Sequence, residues 1–285
     1  MFTIDYFCLM IRLKKAIDFY IHSSIPVALS VYALIQITYL MCKIPPQQSV
    51  SNFAFLGTIA GYNFVKYATL VRVPKKSMGR QLKQIVWLSF FALLGSGYYF
   101  WQLQWHTQLI SLVVLALTLL YALPFFPNKK NARHWAGVKI YIVALCWVGV
   151  TLVLPVWNAE IPLGSTFFIK GIQRFILVFV LILIFEILDL SQDDPLLQTV
   201  PQQIGVRQTK ILGLVLLLPF YFLEFLKNND TPKPVVINAI LVVVLSLFLV
   251  CANHQRSKYY TSFWAESIPV FWWLFVVAFG GLNLE

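Results

Sequence analysis

The stretch FILVFVLILIFEILDLSQDDP, residues 175–195, decides the fold class: an unbroken apolar run ends abruptly in acids. With its flank it makes an apolar segment over 170–188, and about 20 such residues span the hydrocarbon core of a bilayer as a helix. The rest of the chain is of the same kind. Of 285 residues 59% are hydrophobic and 12% charged, and the mean hydropathy is +0.75. A soluble domain carries about 25% charged residues, so this composition excludes a soluble enzyme, a disordered chain and a disulfide scaffold. The expected fold is all-α: a polytopic membrane bundle forming one transmembrane domain over 1–285.

Outward from that stretch, further apolar segments fall at 23–42, 50–71, 85–101, 107–125, 140–157, 211–227, 235–253 and 267–284, each bounded by Pro, Gly, Asn or charged residues. With 170–188 they predict nine transmembrane helices. An open sheet is excluded because lipid offers no partners to its edges. If the N-terminus is cytoplasmic, 17 of the 22 Lys and Arg residues lie on the cytoplasmic side and 5 on the other. Membrane proteins show this bias, so residues 1–18 are expected to be a short cytoplasmic segment. No removable signal peptide is read there. The net charge of +11 then reflects loops beside an anionic leaflet rather than a nucleic-acid partner. Cys8, Cys42, Cys146 and Cys251 are scattered and form no C-x-x-C pair, so no zinc site or disulfide framework is expected.

Four of the eleven acids, Glu186, Asp189, Asp193 and Asp194, lie within nine residues at the cytoplasmic end of the sixth span. Asp189 and Asp193, four apart, are expected to share a helix face, and Pro195 to end that helix. Like charges at that spacing repel, and anions oppose the dipole at a helix C-terminus. A cation is the remedy, either a divalent metal on Asp189, Asp193 and Asp194 or nearby Lys and Arg. A solvated acidic helix end is the plainer alternative.

Two more polar elements belong to the same leaflet. In GYNFVKYATLV (61–71) Asn63, Lys66 and Tyr67 fall on one helix face, although Lys66 could equally reach the interface for its own solvation. In YALPFFPNKKNARHWAGVK (121–139) Tyr121 precedes Lys129, Lys130, Arg133 and Lys139. A tyrosine and cations beside acidic metal ligands suit a phosphorylated substrate, while any cytoplasmic loop is also basic.

These elements, in this order, resemble the UbiA superfamily of intramembrane prenyltransferases. The resemblance extends over roughly 15–285 in layout, but only short segments are specific: GYNFVKYATLV, YALPFFPNKKNARHWAGVK and EILDLSQDDPLLQTVPQQIGVRQTKILG (186–213), in which TVPQQIGVRQT is similar to the family's Thr-Leu-Pro-x-x-x-Gly stretch. It implies nine helices, Mg²⁺, and transfer of an isoprenyl group from a prenyl diphosphate to a hydrophobic or aromatic acceptor in a membrane, here taken as the bacterial inner membrane. The family's first motif, Asn-Asp-x-x-Asp-x-x-x-Asp, keeps only Asn63; Phe64, Tyr67 and Val71 stand at its carboxylate positions, and Gln192 stands where the second motif often has an acid. A rearranged site follows as the expectation. Lys66, Lys130 and Arg133 bind the diphosphate with help from Asn63, Tyr121 and Lys139, and one Mg²⁺ sits on Asp189 and Asp193, which carry catalysis. The alternatives are an inactive descendant that binds an isoprenoid, lipid or membrane partner, and a secondary transporter.

Overall fold

The computed structural model describes residues 2–67, 79–122, 137–194, 197–227, 233–257 and 259–280, and among these it contains only helices. Helix α1 (Phe2–His22) includes the residues expected as a short N-terminal segment. It is followed by α2 (Ile25–Cys42), α3 (Gln48–Tyr67), α4 (Arg80–Phe100) and α5 (Trp105–Ala122). Helix α6 (Val138–Val148) continues through a π-helical turn, Gly149–Val153, into α7 (Leu154–Asn158). Then come α8 (Ser165–Asp189), α9 (Val200–Phe222) with a 3₁₀ turn at Leu223–Leu226, and α10 (Lys233–Cys251). A π-helical turn at Tyr260–Ala265 precedes α11 (Ile268–Gly280).

The described part of each of the nine apolar segments is helical, apart from a residue or two at some of the ends. Six stretches are both long and apolar enough to cross a membrane: α2, α6 to α7, α8, α9 with its 3₁₀ turn, α10, and Tyr260–Phe279. Helices α3 and α4 are long enough but less apolar, and α5 contributes a shorter apolar stretch, Trp105–Leu120. The bundle is a multi-pass membrane architecture with at least these six candidates.

Contacts between helix ends show that the chain runs back and forth. At one end Tyr67 Oη donates to the His22 carbonyl at 2.9 Å, and Tyr259 Oη donates to Asp18 Oδ1 at 2.5 Å. At the other, Asn158 Nδ2 donates to Gln47 Oε1 at 2.6 Å while its Oδ1 accepts the Gln104 N–H at 3.0 Å. The two ends therefore alternate along the sequence as short loops between antiparallel neighbours require.

Helix α8 is the axis. Its Leu177, Val180, Leu183, Ile184 and Ile187 are buried against residues of α2, α9, α10 and α11 in one large apolar cluster. Helix packing in lipid depends on close approach at small residues, and Gly213 of α9 supplies one: a β-carbon there would stand 2.5 Å from Leu249 Cδ2. On the other side the packing opens. Helix α4 packs on α3, and α5 packs on α6 and α7, with a large cavity between the two pairs.

Candidate functional site

That cavity has a volume of about 1250 Å³. Most of its wall is apolar, from Phe53 and Leu154 at one end through Phe90, Leu115, Val143 and Val178. Its other end gathers Asn63, Tyr67, Lys139, Glu186, Asp189, Asp193 and Glu266. An apolar shaft with polar groups at one end is the shape of a site for an amphiphile.

Glu186 is held through both carboxylate oxygens. Its side chain is 3% exposed; Oε1 lies 3.6 Å from Lys139 Nζ, and Oε2 accepts the Val200 backbone N–H at 3.1 Å. Val200 begins α9, whose first N–H groups lack partners within the helix. Gln202 closes the same end by reaching back to its start, its Oε1 accepting the Thr199 N–H at 2.9 Å. Pro201 suits the first turn because it lacks an N–H that would need a partner. Gly205 then takes φ 80°, ψ 157°, a conformation essentially reserved for glycine, and the chain bends before the rest of α9. The segment similar to Thr-Leu-Pro-x-x-x-Gly thus docks a helix N-terminus on Glu186.

Helix α8 stops at Asp189, six residues before Pro195, so the expected shared helix face is corrected: Asp193 lies outside the helix. A tight turn, with the Gln192 and Asp193 N–H groups both donating to the Asp189 carbonyl at 2.8 Å, folds the chain back so that both aspartates still line the cavity. Only Asp193 is carried past the helix end; Asp189 remains the last residue of α8. Asp193 Oδ2 is buried without a hydrogen-bond partner. Asp194 is exposed and off the cavity wall, and its carbonyl accepts the Leu197 N–H at 2.9 Å. Among the described residues no three His, Cys, Asp or Glu side chains come together as a metal-holding group.

The stretch GYNFVKYATLV is used differently. Asn63 is 3% exposed, and its amide ties three segments together: Oδ1 accepts from Ser24 Oγ at 2.8 Å, and Nδ2 donates to the Ser23 carbonyl at 3.0 Å and to Ser89 Oγ at 2.9 Å. Lys66 is exposed and off the cavity wall, with Nζ 3.4 Å from the His22 carbonyl at the end of α1. A cation there complements the helix dipole. Tyr121 falls in the last turn of α5, while Lys129, Lys130 and Arg133 lie outside the described residues. Lys139 is the basic residue of that segment that the structure places on the cavity.

Glu266 was not legible as a site residue. It stands between the last π-helical turn and α11, its backbone carbonyl accepts from Ser30 Oγ, and it lines the cavity near Asp189. Its signal was present as a lone acid in the apolar context SFWAESIPVFWW (262–273). An ionisable group within such a context marks a functional position by default. Compared with protein-family models, with curated proteins and with solved structures, the chain matches none of them.

Proposed function

We propose that the protein is a divergent UbiA-like integral membrane prenyltransferase. It takes the chain of a prenyl diphosphate into the cavity and transfers the isoprenyl group to a hydrophobic or aromatic acceptor. The observation that carries this reading is the cavity of about 1250 Å³, apolar along its wall and ending on Asp189, Asp193, Glu186, Lys139 and Glu266. Drug-sized ligands occupy about 300–1,000 Å³, so this volume accommodates a long chain together with an acceptor. The reading also makes all nine apolar segments spans, with a cytoplasmic N-terminus, in a bacterial inner membrane.

Asp189 and Asp193 are the residues that would hold Mg²⁺. Their hard oxygens suit it, Asp193 Oδ2 is unpartnered, and this ion characteristically takes one or two carboxylates and completes its shell with phosphates and water. When bound, the ion screens the diphosphate charge. In the transfer, the bond between the allylic carbon and the diphosphate oxygen breaks and its electron pair leaves with the diphosphate. The acceptor then bonds to the allylic carbon and loses a proton, for which Glu266 offers a cavity-facing carboxylate. Lys139, held by Glu186, faces the leaving group, and electrostatic stabilisation of this kind supplies most of the rate.

A second reading, amphiphile binding without turnover, is favoured by the first motif: Asn63 is committed to Ser23, Ser24 and Ser89, and Lys66 lies off the cavity wall. Thermal stability of the purified protein with a non-hydrolysable prenyl diphosphate analogue tests the common part. A ligand specific to the folded form stabilises it by about 2.7 kcal/mol at a hundredfold excess over Kd. The expected result is a Mg²⁺-dependent rise in Tm that is lost in Asp189→Ala/Asp193→Ala. No rise under any condition overturns the diphosphate site. A rise without product in an acceptor screen selects the second reading.

A further inference from the structure

Helix α8 carries a second polar centre, fifteen residues before Asp189 and so about 22 Å along the helix at 1.5 Å per residue. Arg174 is 5% exposed there. Its Nη1 donates to the Leu34 carbonyl and to Thr151 Oγ1, both at 3.0 Å, and Nη2 donates to Thr38 Oγ1 at 3.3 Å. All of these partners are neutral, and among the described residues Arg174 forms no ion pair. The buried carboxylate of this region, Glu224, is engaged by Lys227 Nζ at 2.7 Å and by the amides of Gln173 and Asn238 at 3.0 and 2.6 Å. A second cation, Lys170, donates to the Met41 carbonyl at 2.5 Å. Among the described residues the region thus holds three basic side chains against one carboxylate. Buried charges are costly unless paired.

Arg174, Lys170, Gln173, Asn238, Thr38 and Trp272 line a void of about 20 Å³. Trp272 is 7% exposed and, among the described residues, its indole N–H has no hydrogen-bond partner; the ring lies 5.9 Å from the guanidinium. Asn238 Oδ1 is also buried without a partner. A void of about 10–15 Å³ already admits one water-sized particle. Water would accept from Trp272 and donate to Asn238, but it would leave the guanidinium without a counter-charge in a low-dielectric interior.

We infer that this void is a binding site for one small monovalent anion of halide size, held by the Arg174 guanidinium, the Lys170 ammonium and the Trp272 indole N–H. The probe is chloride, exchanged for gluconate at constant ionic strength while the Tm of the detergent-purified full chain is followed. The expected result is a saturable rise in Tm with chloride, reproduced by bromide. Trp272→Phe keeps the ring and removes the N–H, and is expected to move the midpoint of the chloride response several-fold higher. Arg174→Gln is expected to abolish the response, but it also removes three hydrogen bonds, so Trp272→Phe is the deciding variant. A Tm in chloride that coincides with that in gluconate, the result for a water-filled void, overturns the inference. So does a chloride midpoint unchanged in Trp272→Phe.

Discussion

Glu186 joins two features that are far apart in sequence, the cation of Lys139 on α6 and the first turn of α9. Removing one partner of a buried pair leaves the other charge uncompensated and costs about 3–5 kcal/mol when burial is complete. Lys139 keeps 17% exposure, so Glu186→Gln is expected to cost about 2–3 kcal/mol, read as a lowered Tm. Adding Lys139→Met to that variant is expected to cost less than the two single changes added together, because the pair is coupled. Additive losses would show that the two side chains do not interact. The role of Glu186 could not be read from its neighbours in sequence. Its acidic company suggested a ligand set, whereas its partners come from 47 residues upstream and 14 downstream. Asp189 and Asp193 were legible because one turn holds both. Glu266 was not, because it reaches the same cavity from the far end of the chain.

Among the elements, the start of α9 shows how a short stretch sets geometry. Gln202 accepts the Thr199 N–H at its start, Pro201 occupies its first turn, and Gly205 turns the chain through φ 80°. A residue with a β-carbon pays about 1–3 kcal/mol for such a conformation, even though a β-carbon at Gly205 would meet nothing within 4 Å. Gly205→Ala is therefore expected to lower Tm by backbone strain alone, and an unchanged Tm would show that α9 straightens at no cost. The end of α8 shows the reverse case. Pro195 is a reliable breaker, but the helix stops six residues earlier, with Glu186 and Asp189 still in its last turn.

For the molecule as a whole, the apolar segments were legible because lipid demands continuous apolar runs, and the described part of each is helical. Helices α3 and α4, less apolar than the six span candidates, and the shorter apolar α5 share the cavity wall with faces of α2, α6, α7 and α8. Their part of that wall carries polar groups such as Thr58, Asn63, Ser89, Ser96, Ser111 and Thr118. The proposed orientation makes a direct prediction. Cysteine introduced at Glu160, exposed at the end opposite the acidic cluster, is expected to react with an impermeant maleimide in intact cells. Cysteine at His254, exposed in the segment between α10 and the last π-helical turn, is expected to react only after the membrane is opened. The opposite pattern would invert the topology, and equal labelling would refute the separation of the two ends by a bilayer.

The cavity has a consequence for how any affinity should be understood. Apolar side chains that line a void gain no dispersion energy across it, and in a bilayer the surrounding acyl chains are an abundant apolar filler. A tail that enters this shaft is therefore in competition with lipid. The dissociation constant becomes an exchange constant that depends on acyl length and unsaturation, and a value measured in a short-chain detergent belongs to a different equilibrium from the one the cell maintains.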